Sequence, residues 1–150
     1  MSNFIFRKAS TSDIPFLAKI RAKNSATEEH WTNRIIGYNN GTINPQQAEP
    51  SRIIFIACIN DEIIGFIAGH LTKRFDCEGE LQWIDVLIEY RRSGIASTLL
   101  KELAEWFISQ NAFKICVDPG NIDARKFYSR NCAADLNDHW MFWPDIRQII

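Results

Sequence analysis

Two runs rich in β-branched residues, R52-I-I-F-I-A-C-I59 and E62-I-I-G-F-I-A-G-H-L71, are separated only by Asn60 and Asp61. Runs of this kind joined by two turn-forming residues read as an antiparallel hairpin with a tight turn. The flanking segments extend the pattern. F4-I-F-R-K8 reads as a first strand, and Ser12-Asp13-Ile14-Pro15 gives a helix N-cap signal ahead of Ile14, Leu17, Ala18 and Ile20 at helical spacing. T27-E-E-H-W-T-N-R-I-I-G-Y38 carries a second helical pattern, while N39-N-G41 and the segment from Pro45 to Pro50 read as turn or loop.

Beyond the hairpin, E80-L-Q-W-I-D-V-L-I88 reads as a fourth strand. A helix follows, with Ala96, Leu99, Leu100, Leu103, Ala104, Phe107 and Ile108 forming an apolar stripe that leaves Trp106 to one side. F113-K-I-C-V117 is a fifth strand, N121-I-D-A-R-K-F-Y-S-R130 a short helix capped by Asn121, and W140-M-F-W143 a last strand. Strand–helix alternation in the middle and hairpins at both ends predict an α+β or mixed α/β sheet. A chain of 150 residues, with no repeat or linker, is read as a single domain over residues 1–150.

Composition narrows the function classes. Apolar residues make up 46% and charged residues 23% of the chain, as in ordinary globular proteins. A formal net charge of -1 supplies no broad basic field, so nucleic acid is not an expected partner. Cys58, Cys77, Cys116 and Cys132 are far apart and lack histidines at ligand spacing, so no metal is expected. The N-terminus lacks a long apolar core and the longest aliphatic run is strand-sized. A cytoplasmic protein with reduced thiols and no membrane partner is therefore expected.

The junction I88-E-Y-R-R-S-G-I-A-S-T-L-L100 places two arginines, a serine and a glycine where a strand ends and a helix begins. A helix launched from a strand end aims its free N–H groups and positive dipole end at whatever lies beyond that strand. Gly94 and Ala96 leave the backbone approachable, and Arg91, Arg92 and Ser93 add charge-assisted donors, an arrangement that suits a pyrophosphate. The Walker and dinucleotide glycine patterns are both absent.

R91-R-S-G-I-A96 resembles the (Q/R)-x-x-G-x-(G/A) acetyl-coenzyme A loop of the GNAT N-acetyltransferases, and N121-I-D-A-R-K-F-Y128 resembles the family's next block. The resemblance implies the GNAT acyl-coenzyme A N-acyltransferase fold: a mostly antiparallel central sheet, splayed fourth and fifth strands, and flanking helices. It implies acetyl-coenzyme A as cosubstrate, held by Val86, Leu87, Ile88, Arg91, Arg92, Ser93, Gly94, Ile95, Ala96, Ser97, Asn121 and Tyr128. Ile88 stands where many members carry proline, and Cys132-Ala133 where a Gly-Phe pair often follows the second helix.

The implied reaction is attack of an amine on a thioester. It needs a proton for the departing thiolate, donors for the oxyanion and a route for the amine's proton. Tyr128 is the expected acid, and main-chain N–H groups around Val86 and Leu87 the expected oxyanion donors. The base is Glu80, Asp85 or water, with Asp76 and Glu78 nearby. Trp31, Tyr38 and Trp83 are candidate walls of an acceptor pocket, whereas His30, His70 and His139 read as surface or core histidines. The acceptor is an amine of a small molecule or of a peptide or protein. The alternative is a non-catalytic acyl-coenzyme A-binding module, and the aromatic tail W140–W143 is the surface on which a homodimer would form.

Overall fold

The computed structural model describes residues 3–150, so the first two residues of the expected 1–150 domain and of its N-terminal stretch lie outside it. In chain order the elements are β1 (Ile5–Lys8), α1 (Ile14–Ala22), α2 (Glu28–Asn40), β2 (Ala48–Ile59), β3 (Glu62–Thr72), β4 (Gly79–Val86), α3 (Ile95–Ser109), β5 (Ile115–Val117), α4 (Ile122–Arg130), β6 (Ala134–Asp135) and β7 (Met141–Trp143). The strands form one seven-stranded sheet in the order β1-β2-β3-β4-β5-β7-β6. Every neighbouring pair is antiparallel except β4 with β5. Among the described residues no helix is long and apolar enough to cross a membrane.

Local chemistry accounts for the turns. Asn60 and Asp61 take φ of 49° and 65°, the left-handed pair a two-residue hairpin needs. α1 starts at Ile14 with Asp13 as its N-cap, within the Ser12–Pro15 signal: Ser10 N–H donates to Asp13 Oδ2 at 2.7 Å, and Pro15 follows in the first turn. α2 is capped by Thr27, whose hydroxyl accepts from His30 N–H at 3.0 Å, and is ended by Gly41 at φ 82°. β2 begins at Ala48, inside the segment read as loop. Its register is irregular between Ala48 and Arg52, where Pro50 removes a ladder donor.

Helices cover both faces of the sheet. A Cβ placed on Gly69 or Gly79 would strike Leu103 or Phe107, so these positions face α3, whose residues Ile95, Leu99, Leu100, Leu103, Ala104 and Phe107 are buried. Adjacent residues point the other way: His70, paired with Glu80 in register, reaches Tyr38 of α2. The aromatic tail is spent within the chain. Met141 and Trp143 are buried, and Trp140 meets Phe75 edge-on with ring centroids 5.1 Å apart.

Candidate active site

The sheet forks at its parallel junction. β4 and β5 pair only at Gly79↔Ile115, Glu80↔Cys116 and Leu81↔Val117. Asp118 and Pro119 come next, and Pro119 lacks the N–H needed to continue the ladder, so β4 runs on to Val86 without β5 beside it. On its other edge Leu87 N–H donates to Ile64 O at 2.8 Å, which makes Gly65↔Val86 a pair whose own N–H and C=O groups point away from each other. Val86, and by alternation Ile84, therefore direct their amides into the gap. Leu87 is not such a donor, because β3 already takes its N–H. The Val86 carbonyl accepts from Arg91 Nε at 3.1 Å, leaving its N–H facing the fork.

Leu87 leaves the sheet, Ile88–Tyr90 form a single 3-10 turn, and two left-handed residues, Arg92 at φ 65° and Gly94 at φ 79°, bend the chain into α3. Gly94 is the N-cap and has no side chain to satisfy the first-turn amides of Ile95, Ala96 and Ser97. A Cβ at Gly94 would find no atom within 4 Å, so the approach to those amides is open. Arg92, Ser93 and Gly94 are exposed, while the buried Ile95 side chain anchors the helix. Arg91 is partly committed: its Nε ties the loop to the end of β4.

On α4, the Asn121 side chain accepts from Ala124 N–H at 2.8 Å and is thereby used as a cap. Two turns later Tyr128 is buried, its ring edge-on to Trp143 at 5.8 Å. Among the described residues its hydroxyl has no hydrogen-bond partner. Burial raises its pKa above the ordinary phenol value, with the Asp85 and Asp118 charges adding to the rise and Arg21 opposing it. The phenol thus senses the free stretch of β4 and the residue just past the β5 ladder.

The other face holds the acceptor-wall candidates. Trp31 lies 6.0 Å from Trp83, and Trp83 4.9 Å from Tyr38, centroid to centroid. Arg21 sits among them, its guanidinium carbon 4.4 Å from the Trp31 centroid and 5.8 Å from that of Trp83. Its Nη1 donates to Asp85 Oδ2 at 2.9 Å, while burial raises the Asp85 carboxyl pKa against the pull of Arg21. Glu80 lies at the closed end of the fork, where Arg74 Nη1 approaches Oε1 at 3.4 Å and His70 Nε2 stands at 3.6 Å. His70 is fully buried, with Nδ1 at 2.8 Å from the Tyr38 hydroxyl. Glu78 caps the entry to β5, accepting from Phe113 and Lys114 N–H at 2.8 and 3.1 Å. Asp76 is exposed in the neighbouring turn.

The model of the acetyltransferase (GNAT) family matches residues 20–133, more than half of the chain. The chain belongs to the GNAT acetyltransferase family. A comparison with curated proteins gave no match. Among solved structures, this GNAT chain is similar in fold to a GNAT-family protein from Desulfovibrio desulfuricans, with TM-score 0.74 and 13% identity over 96% of this chain and 99% of that one. It is similar also to the PaiA N-acetyltransferase of Thermoplasma acidophilum solved with coenzyme A, with TM-score 0.68 and 18% identity over 95% and 99% of the two chains. The ribosomal-protein-S18-alanine N-acetyltransferase of Escherichia coli matches with TM-score 0.69 and 16% identity over 95% and 94%.

Two departures of this GNAT chain from the sequence pattern have visible consequences. Ile88, in place of proline, is exposed within the 3-10 turn. Cys132, in place of glycine, holds φ 75° after α4 and leads into the two-residue strand β6. Sequence reasoning missed Arg21 and Arg74, which engage the two candidate carboxylates, and Asp118, whose charge acts on Tyr128. Only the packing of α1 and of the turn before β4 against the sheet brings the two arginines into place.

Proposed function

We propose that this chain transfers an acetyl group from acetyl-coenzyme A to a primary amine of a small molecule or of a peptide or protein, through a ternary complex. The observation that carries the reading is the fork: unpaired amides of Ile84 and Val86 lie on the strand that leads directly into the open, uncapped N-terminus of α3. The diphosphate would rest on the first-turn amides of Ile95, Ala96 and Ser97, with Arg92 and Ser93 as further donors. The pantetheine arm would extend along β4 as the strand that β5 does not supply.

The thioester carbonyl oxygen would accept from the Val86 N–H, which is fixed in place before reaction and so needs no reorganisation as charge develops. The amine nitrogen forms a bond to the carbonyl carbon as its proton passes to a base, with Glu80, Asp85 or water the groups the sequence offered. The carbon–sulfur bond then breaks, its electron pair going to sulfur, and the sulfur takes a proton from the Tyr128 hydroxyl. Burial holds this phenol protonated before reaction but also disfavours the tyrosinate, so donation to the thiolate requires neighbouring positive charge such as Arg21 to offset that cost. Trp31, Tyr38 and Trp83, with Arg21, form the wall met by the acceptor.

A non-catalytic acyl-coenzyme A-binding module is the second reading. One observation favours it: Glu80 and Asp85 both face arginines rather than standing free to take a proton. Calorimetry with acetyl-coenzyme A, followed by thiol-release assays with added amines, tests both readings. Binding with amine-dependent thiol release supports transfer, binding without release supports the module, and no binding refutes both.

A further inference from the structure

We propose that His139, oriented by Asp118, is the general base that takes the amine's proton, an inference that rests on the acetyl-transfer reading above. Asp118 is the first residue beyond Val117, the last rung of the β4–β5 ladder, so it stands at the point where the strands part. His139 Nε2 lies 2.6 Å from Asp118 Oδ1. An ionised carboxylate can only accept, so Nε2 carries the hydrogen and the lone pair of the neutral ring is on Nδ1, the nitrogen free to take a proton. Tyr128 senses the same carboxylate. Acid and base would thus share Asp118 as a neighbour at the mouth of the fork.

The loop that carries His139 is built to hold it. Asn137 Oδ1 accepts from His139 and Trp140 N–H at 2.9 and 2.8 Å, and Leu136 N–H donates to Trp140 O at 2.9 Å. From α4, Arg125 Nη2 donates to the His139 carbonyl at 2.7 Å while its Nη1 pairs with Asp135 at 2.8 Å. From the turn before β4, Arg74 covers the Trp140 ring at 4.4 Å. The carboxylates Glu80 and Asp85 differ in two ways: each is engaged by an arginine, and their side chains are 5% and 10% exposed against 63% for His139. A base must return its proton to water on every turnover, and His139 can.

In the step proposed, the nitrogen–carbon bond forms as the nitrogen's proton passes to His139 Nδ1. The carbon–sulfur bond breaks and sulfur is protonated by Tyr128. Water then removes the proton from the imidazolium, and the tyrosinate regains one from solvent. Asp118 acts as a positioning residue, fixing the tautomer and the ring angle.

The test reads thiol release from acetyl-coenzyme A by the full chain, with spermidine, L-lysine and a hexapeptide bearing an N-terminal alanine as probe amines. His139→Ala is expected to lower kcat by about 100-fold or more, with unchanged affinity for acetyl-coenzyme A, and added imidazole to restore part of the rate. Asp118→Asn is expected to lower kcat less and to gain nothing from imidazole, while Asp138→Asn, in the same loop, keeps the wild-type rate. Wild-type kcat in His139→Ala overturns the proposal, as does a loss that imidazole leaves unrelieved. A wild-type chain that releases no thiol with any probe instead refutes the acetyl-transfer reading itself, and the assignment of His139 falls with it.

Discussion

Replacing Tyr128 by phenylalanine removes one oxygen and leaves the ring. The ring's packing against Trp143, at 5.8 Å, is retained, and the lost hydroxyl has no hydrogen-bond partner among the described residues. The fold therefore loses no internal hydrogen bond, and stability is expected to change by less than about 0.5 kcal/mol, or roughly 2 °C in Tm for a chain of this size. Catalysis is a different matter. Loss of a positioned acid costs typically 10²–10⁴ in rate, which corresponds to about 3–5 kcal/mol of transition-state stabilisation. The assay is steady-state thiol release at saturating acetyl-coenzyme A, alongside calorimetric affinity and a melting curve. A fall in kcat with affinity and Tm held is the expected outcome. An unchanged kcat removes Tyr128 from the mechanism. A Tm drop beyond about 4 °C shows that the hydroxyl supports the fold and refutes the separation of roles.

Three further substitutions follow from the geometry. Gly94→Glu enters open space at φ 79°, so the chain still folds at a cost of about 1–2 kcal/mol, but a carboxylate beside the first-turn amides should weaken acetyl-coenzyme A binding about 100-fold by calorimetry. Gly79→Ala places a Cβ 2.4 Å from Phe107 Cε1 and 2.8 Å from Ile115 Cδ1, so denaturant unfolding should register a loss of about 1–3 kcal/mol. The Arg7 guanidinium, 2.8 Å from Asp13, leads the effects that lower the Asp13 pKa to about 2, with the Ser10 hydrogen bonds assisting against the cost of burial. A depressed carboxyl pKa contributes stability above the unfolded-state value near 4, and that contribution disappears as pH falls from about 4 to 2. Asp13→Asn should therefore cost about 1–2 kcal/mol at pH 7, discounted for the half-exposed Arg7, with most of that cost gone by pH 2 and the remainder lost below it.

The parts of the fold legible in the sequence are those set by local periodicity. The hairpin turn at Asn60-Asp61, the α3 stripe and the Asn121 cap each depend on residues a few positions apart, and each is in place. Pro50 misled for a physical reason: a proline among Gln46, Gln47, Glu49 and Ser51 reads as loop, yet an irregular register lets β2 pass it. The candidate site was legible only in part. The loop from Arg91 to Ala96 could be read because it is contiguous, and the fork because the family resemblance implied it. The engagement of Asp85 by Arg21 spans 64 positions, and that of Glu80 with His70 depends on which residue of β3 faces which of β4. A shift of one residue in that register would point every one of those side chains to the other face. His139 carried no signal in the sequence because its partner, Asp118, belongs to another strand end 21 positions away.

The central claim is that acetyl-coenzyme A lies along the free edge of β4 and against the first turn of α3. Amide-resolved magnetic resonance of the labelled chain, titrated with acetyl-coenzyme A, tests it most directly. The account predicts large shifts and slowed exchange at Ile84, Val86, Ile95, Ala96 and Ser97, with Leu87 little changed in exchange because its N–H is already bonded to Ile64. Binding that leaves the amides of Ile84, Val86 and the α3 first turn unperturbed would contradict it.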